Sequence, residues 1–116
     1  MHDEVTRPAA LDRGTTQRDA LDGVTTMLRT LADRTRLKIL LLLGGGKLNV
    51  TEISRRSGCD QPSVSHHLGL LRRSSLVESR RDGKMVFYGL SGIASVPAPG
   101  TLRVEVIEAS ITIRWS

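Results

Sequence analysis

At 116 residues the chain is the size of one domain, and with aromatic residues at only 3% its core has to be built from Leu, Ile and Val. No apolar run nears the roughly 20 residues of a membrane span, and the polar, acidic start MHDEVTRPAA is unlike a secretion signal, so a cytoplasmic protein with no membrane partner is expected. The single cysteine excludes an intrachain disulfide, which fits a reducing compartment.

The net charge of +5 is unevenly spread: residues 1–24 carry −2, residues 25–91 carry +7 and residues 92–116 balance at 0. A basic field confined to the middle of the chain suits a polyanion, of which nucleic acid is the usual one.

Residues 1–16, with Pro8 and Gly14 and no apolar periodicity, read as a flexible N-terminal arm. Leu21, Val24, Leu28 and Leu31 then recur at three- and four-residue steps, the pattern of an amphipathic helix. Asp33 is placed to cap a second helix carrying Leu37, Ile39, Leu40, Leu41 and Leu43 around most of its circumference, a central helix. Gly44-Gly45-Gly46 ends it in what reads as a loose bend. Asn49 and Glu52 have capping-box spacing, so a short helix is expected to start there, with Val50, Ile53 and Ser57 inward. After the turn Ser57-Gly58-Cys59-Asp60, a helix capped by Asp60 and tolerating Pro62 in its first turn gives helix-turn-helix spacing.

On that last helix Val64, Leu68 and Leu71 share the inward face, while Gln61, Ser63, Ser65 and His66 supply hydrogen-bonding groups of a length suited to base edges. Gly69 leaves the outer face without bulk. His67, beside the apolar stripe, reads as half-buried packing between helix and wing. Leu76–Arg81 and Lys84–Leu90 read as strands joined by Asp82-Gly83, a two-residue hairpin signal. Arg72, Arg73, Arg80, Arg81 and Lys84 are the phosphate-contact candidates, with Arg55 and Arg56 weaker ones. The expected fold is therefore α+β: a winged helix-turn-helix over residues 17–91, about four helices and a β-hairpin wing. Residues 92–100, SGIASVPAPG less its first residue, read as a linker. Residues 101–116 alternate twice (Leu102, Val104, Val106; Ile111, Ile113, Trp115) and predict an extra C-terminal hairpin, turning at Glu108-Ala109-Ser110, for dimerisation or packing.

The runs Leu-Ala-Asp-x-Thr-Arg-Leu at 31–37, Ser-x-Ser-His-His-Leu at 63–68, Gly-Leu-Leu-Arg at 69–72 and the Arg-Arg-Asp-Gly-Lys wing with Tyr88 resemble the ArsR/SmtB group of bacterial winged-helix repressors over residues 21–91. The resemblance implies a homodimer that binds double-stranded DNA at a two-fold symmetric operator, and an inducer of unknown identity. In many metal-sensing members the third helix carries a cysteine pair. Asn49 and Thr51 stand at those places here and cannot act as thiolate ligands. No His follows His67, and the C-terminal segment does not read as the helix that carries the group's other metal site, so neither a metal nor another cofactor is expected. Dimerisation is assigned to Leu21, Val24 and Leu28 together with the C-terminal strands.

Cys59 with His66 and His67 could suggest a metal site, but adjacent helical histidines point about 100° apart and one thiol is too few, so Cys59 is read as a turn residue. No Ser–His–acid set, phosphate loop or carboxylate pair stands out, so no enzyme is expected. The competing reading is a winged-helix protein-interaction module whose C-terminal strands bind a partner by strand addition.

Overall fold

The computed structural model describes residues 14–116, with side chains described from Asp19 onward. Along this span run α1 (Gly14–Leu31), α2 (Arg34–Leu43), α3 (Val50–Ser57), α4 (Gln61–Arg73), β1 (Val77–Asp82), β2 (Met85–Leu90), β3 (Ala94–Ala98), β4 (Thr101–Val106) and β5 (Ala109–Arg114). The result is the expected α+β winged helix-turn-helix, extended by a three-stranded antiparallel sheet in the order β3-β4-β5. Residues 14–16, placed in the arm from sequence, belong to α1, and residues 1–13 lie outside the described residues.

Local chemistry sets the helix starts. Asp33 Oδ1 accepts from the Arg36 N–H at 3.0 Å. The Asn49 side chain accepts from Glu52 N–H at 2.8 Å while Asn49 N–H donates to Glu52 Oε1 at 3.0 Å, a complete capping box. Asp60 Oδ1 accepts from Ser63 N–H at 2.8 Å. Each bond satisfies a backbone donor that the first helical turn leaves without a partner.

The three glycines after α2 are not a loose bend. The N–H groups of Gly44, Gly45 and Gly46 all donate to carbonyls of the last α2 turn, at 3.0 to 3.2 Å. Gly44 is required for space: a Cβ there would lie 2.8 Å from Cβ of Val96, because β3 packs against the end of α2. The next residues form a two-residue bridge, Leu48 to Tyr88, which ties the start of α3 to the wing.

One aliphatic core runs through both parts of the chain. Leu31 of α1, Ile39, Leu40 and Leu43 of α2, Ile53 of α3 and Val64, Leu68 and Leu71 of α4 are buried together with Leu76, Leu102 and Val104. The stripe expected on α1 divides. Met27 and Leu31 are buried, Val24 is half-buried, and Leu21 and Leu28 are 57% and 45% exposed. Leu21 and Leu28 sit about 60–80° around the helix from Leu31, enough to leave the core.

Three boundaries differ from the sequence reading. The wing turn is Gly83-Lys84, because Asp82 pairs with Met85; Gly83, at φ 64°, takes the first central position, as a type II′ turn requires. The C-terminal turn is Ile107-Glu108, because Val106 pairs with Ala109. The stretch 92–100 is not a linker, since it contains β3, with Pro97 inside it. Proline is tolerated there because β3 is an edge strand whose pairing with β4 is irregular between Ser95 and Ala98. The apolar faces of β4 and β5 pack on α1 and the core rather than standing free for a partner.

The Arg36 N–H bond is the main cause of an Asp33 carboxyl pKa below its ordinary range; burial opposes it, and the Arg36 charge adds to the lowering. A carboxyl depressed in the folded state adds stability above its unfolded pKa and loses it as pH falls through the folded value. Asp33→Ala is expected to cost about 1 kcal/mol and to lower Tm by about 4 °C near neutral pH. The gap from wild type should narrow in thermal melts taken at progressively lower pH through the carboxylate range; a gap that is constant with pH would count against this cap.

Candidate nucleic-acid interface

The turn that aims α4 is held from several sides. Gly58 N–H donates to Ser54 O at 3.0 Å, Cys59 N–H donates to Ser57 Oγ at 3.2 Å, and Lys38 Nζ of α2 donates to Ser57 O at 2.9 Å. The half-buried Cys59 thiol lies 4.0 Å from Thr35 Oγ1, turned toward α2. Among the described residues no group of three or more His, Cys, Asp and Glu side chains could hold a metal ion. The side-chain oxygen of Asn49 is committed to the cap of α3.

Val64, Leu68 and Leu71 are buried at 0%, 1% and 0% exposure, so the opposite side of α4 must face out. Gln61, Ser65, His66, Arg72 and Arg73 are all exposed, within an arc of about 140° that begins about 20° from Leu68. Ser63 does not join them. It is half-buried and lies on the flank with Leu70 and His67, about 60° beyond His66. Gly69 sits in the middle of the arc. A Cβ at Gly69 would meet only the far end of Arg73, at 3.6 Å, so packing within the chain does not call for glycine there. Gln61 Nε2 donates to Thr51 Oγ1 at 3.3 Å, which joins the start of α4 to the first turn of α3.

The wing carries Arg80, Arg81 and Lys84, all exposed. Successive strand residues leave opposite faces. Arg81 pairs with Val86 and shares the face of Val77, Tyr88 and Leu90, which is turned to the body of the protein; Arg80 pairs with Phe87 on the other face. The two arginines therefore cannot make equivalent contacts. Arg55 and Arg56 are exposed on α3.

Sequence reasoning missed Arg36. Its Nε donates to Thr30 O at 2.6 Å, its Nη1 lies 3.3 Å from His67 Nδ1, and the same nitrogen is 3.8 Å from Asp33 Oδ2. His67 therefore meets Arg36 of α2. A guanidinium only donates, so in this contact His67 Nδ1 can serve only as the acceptor. Beside this contact, Thr30 Oγ1 and Ser74 Oγ are 3.2 Å apart. The end of α1 is thus joined to α4 at its middle, through Arg36, and at its C-cap, through Ser74. The run that carries Arg36 is visible in the sequence, but its partner is 31 residues away, and no periodicity reports such a pair.

Comparison with known proteins places this geometry. A helix-turn-helix domain family model matches residues 31–80. The HTH-type transcriptional regulator KmtR of Mycobacterium tuberculosis is 43% identical over 67 residues, which are 58% of this chain and 52% of KmtR. The transcriptional repressor SdpR of Bacillus subtilis is 34% identical over 65 residues, 56% of this chain and 72% of SdpR. The solution structure of the homodimeric winged helix-turn-helix DNA-binding domain Mb0332 from Mycobacterium bovis, a possible ArsR-family transcriptional regulator, aligns with a TM-score of 0.60 at 34% identity, over 66% of this chain and 70% of that one. The chain spans 52% to 60% of the length of several of the curated relatives it matches. By these likenesses and by its fold, the chain belongs to the ArsR family of winged helix-turn-helix transcriptional regulators.

Proposed function

We propose that the chain is a homodimeric, sequence-specific repressor that binds double-stranded DNA at a two-fold symmetric operator in the cytoplasm. The observation that carries this reading is the exposed arc Gln61, Ser65, His66, Arg72 and Arg73 on a helix locked to the core by Val64, Leu68 and Leu71, beside a basic wing. Gln61, Ser65 and His66 stand at the N-terminal part of α4, the part that meets base edges when such a helix enters a major groove, with Ser63 at their margin. Arg72, Arg73, Arg80, Arg81 and Lys84 contact phosphates, and Arg81 is the wing residue on the body side. The names of SdpR, a repressor, and of Mb0332, a homodimeric DNA-binding domain, support the same reading. The protein acts by occupying DNA and performs no catalysis.

Dimerisation uses Leu21 and Leu28, with Val24 beneath them. Two large apolar side chains exposed on one ridge of α1 are poor surface residues and good interface residues. The C-terminal strands contribute less than the sequence suggested, because Leu102 and Val104 are wholly buried within the subunit.

The first test is duplex affinity against salt. Log affinity should fall steeply with log salt, and a flat dependence would refute DNA binding. On an operator selected from random duplexes, Gln61→Ala and His66→Ala should each cost about 1–3 kcal/mol and relax base preference at one position. Arg81→Ala should weaken all duplexes alike and reduce the salt slope by about 1.

Leu21→Glu with Leu28→Glu should convert the dimer to a monomer in sedimentation while far-ultraviolet dichroism stays unchanged. A dimer that survives both substitutions would place the interface elsewhere.

A further inference from the structure

We propose that the cleft between α1 and the C-terminal sheet is an effector site for an organic anion with an apolar body, its head group held by Arg29, Arg36 and Arg73. Two adjoining cavities carry the argument. The larger, about 870 Å³, lies between α1 and the β4–β5 end of the sheet, with Met27, Ile93, Val106 and Ile107 supplying apolar surface. The smaller, about 240 Å³, is lined by the three arginines with Leu70. Thr30, Arg73 and Ser74 line both, so the two meet at that point.

Charge sets the class of ligand and its direction. Arg29, Arg36 and Arg73 line the small cavity, and Arg36 lies 3.8 Å from the Asp33 carboxylate. At the junction the Thr30 and Ser74 hydroxyls, 3.2 Å apart, can donate to a head-group oxygen. Asp19, Asp22 and Glu105 line the large cavity, and Glu105 is paired with Arg103 at 2.8 Å. Along α1, Asp22 stands about 12 Å from Thr30. An acidic end opposite an arginine end excludes a second anionic group on the ligand and directs the single head toward Arg73.

The cleft opens on a different side of α1 from the Leu21 and Leu28 ridge proposed for dimerisation. Thr26 lies in it, about 160° around α1 from Leu28. Gly23, in the middle of α1, costs helix stability, and a Cβ there would meet nothing within 4 Å. Its absent side chain leaves the cleft open. A head group at Arg73 occupies the last turn of α4, where the proposed DNA reading places a phosphate contact. On that reading, ligand and operator compete.

Calorimetry on the full chain tests the site without DNA. Octanoate and octyl phosphate should bind saturably, one per chain, and octanol and octylamine about ten-fold more weakly or worse. Arg29→Gln should weaken both anions by about ten-fold. Gly23→Leu, which has room to fold and fills the cleft, should abolish binding. In a separate titration, octanoate should weaken duplex binding by the wild type and leave the Gly23→Leu protein unaffected.

No saturable binding of either anion would overturn the proposal, as would octanol binding equally well or inorganic phosphate matching octyl phosphate. Binding that survives Gly23→Leu would also overturn it. A Gly23→Leu protein that becomes monomeric, with no octanoate binding by the wild type, would give the cleft to a second copy of the chain instead. A calorimetric failure leaves the DNA reading standing, and a flat salt dependence with intact octanoate binding overturns only that reading.

Discussion

The burial of Val64, Leu68 and Leu71 is the interaction on which the rest of the molecule depends. A helix of 13 residues has little stability alone, so α4 exists as a helix because one side of it is locked to α2 and α3. Each of these side chains contributes about 2 kcal/mol by leaving water. The same lock decides which side chains face out. Once three positions point inward, helical geometry turns Ser65, His66 and Arg73 outward together, while Gln61 and Arg72, about 20° and 40° around the helix from Leu68, are exposed at its two ends.

Locking one side fixes the rotation of α4 but not its tilt. Polar contacts supply that. Lys38 grips the turn before the helix, Arg36 meets His67 at its middle, and Ser74 meets Thr30 at its end. Two of these three contacts lead to the last turn of α1, through Thr30. The helix that carries the exposed Leu21 and Leu28 ridge is therefore coupled to the helix with the exposed polar arc. A change in how α1 sits would be felt at both the middle and the end of α4, which is the physical basis for expecting a ligand beside α1 to alter what α4 can bind.

The C-terminal sheet has a structural role before any other. With one Phe, one Tyr and one Trp in the chain, the helical part alone encloses only a small aliphatic core. Leu102 and Val104 enlarge it, and Val96 presses on Gly44 at the end of α2. The sheet thereby covers the flank of α1, and the cleft is the space left where the two do not fully meet.

The sequence by itself determined the starts of α2, α3 and α4, since each cap acts over three residues, and the order of helix, helix, turn, helix and wing, since apolar period and turn chemistry are local. It determined the outward residues of α4 as well, apart from Ser63, which a count along the helix alone did not separate from the arc. Tertiary structure decided the rest. Leu21 and Leu28 left the core because only packing shows where a stripe ends. Residues 94–98 became a strand because β4 offered an edge at which Pro97 could be tolerated. Both hairpin turns moved because register is set by pairing across strands, not by the turn residues alone. Arg36 found His67, and α1 and the sheet enclosed a cleft, because distant segments met in space, and no local pattern records such a meeting.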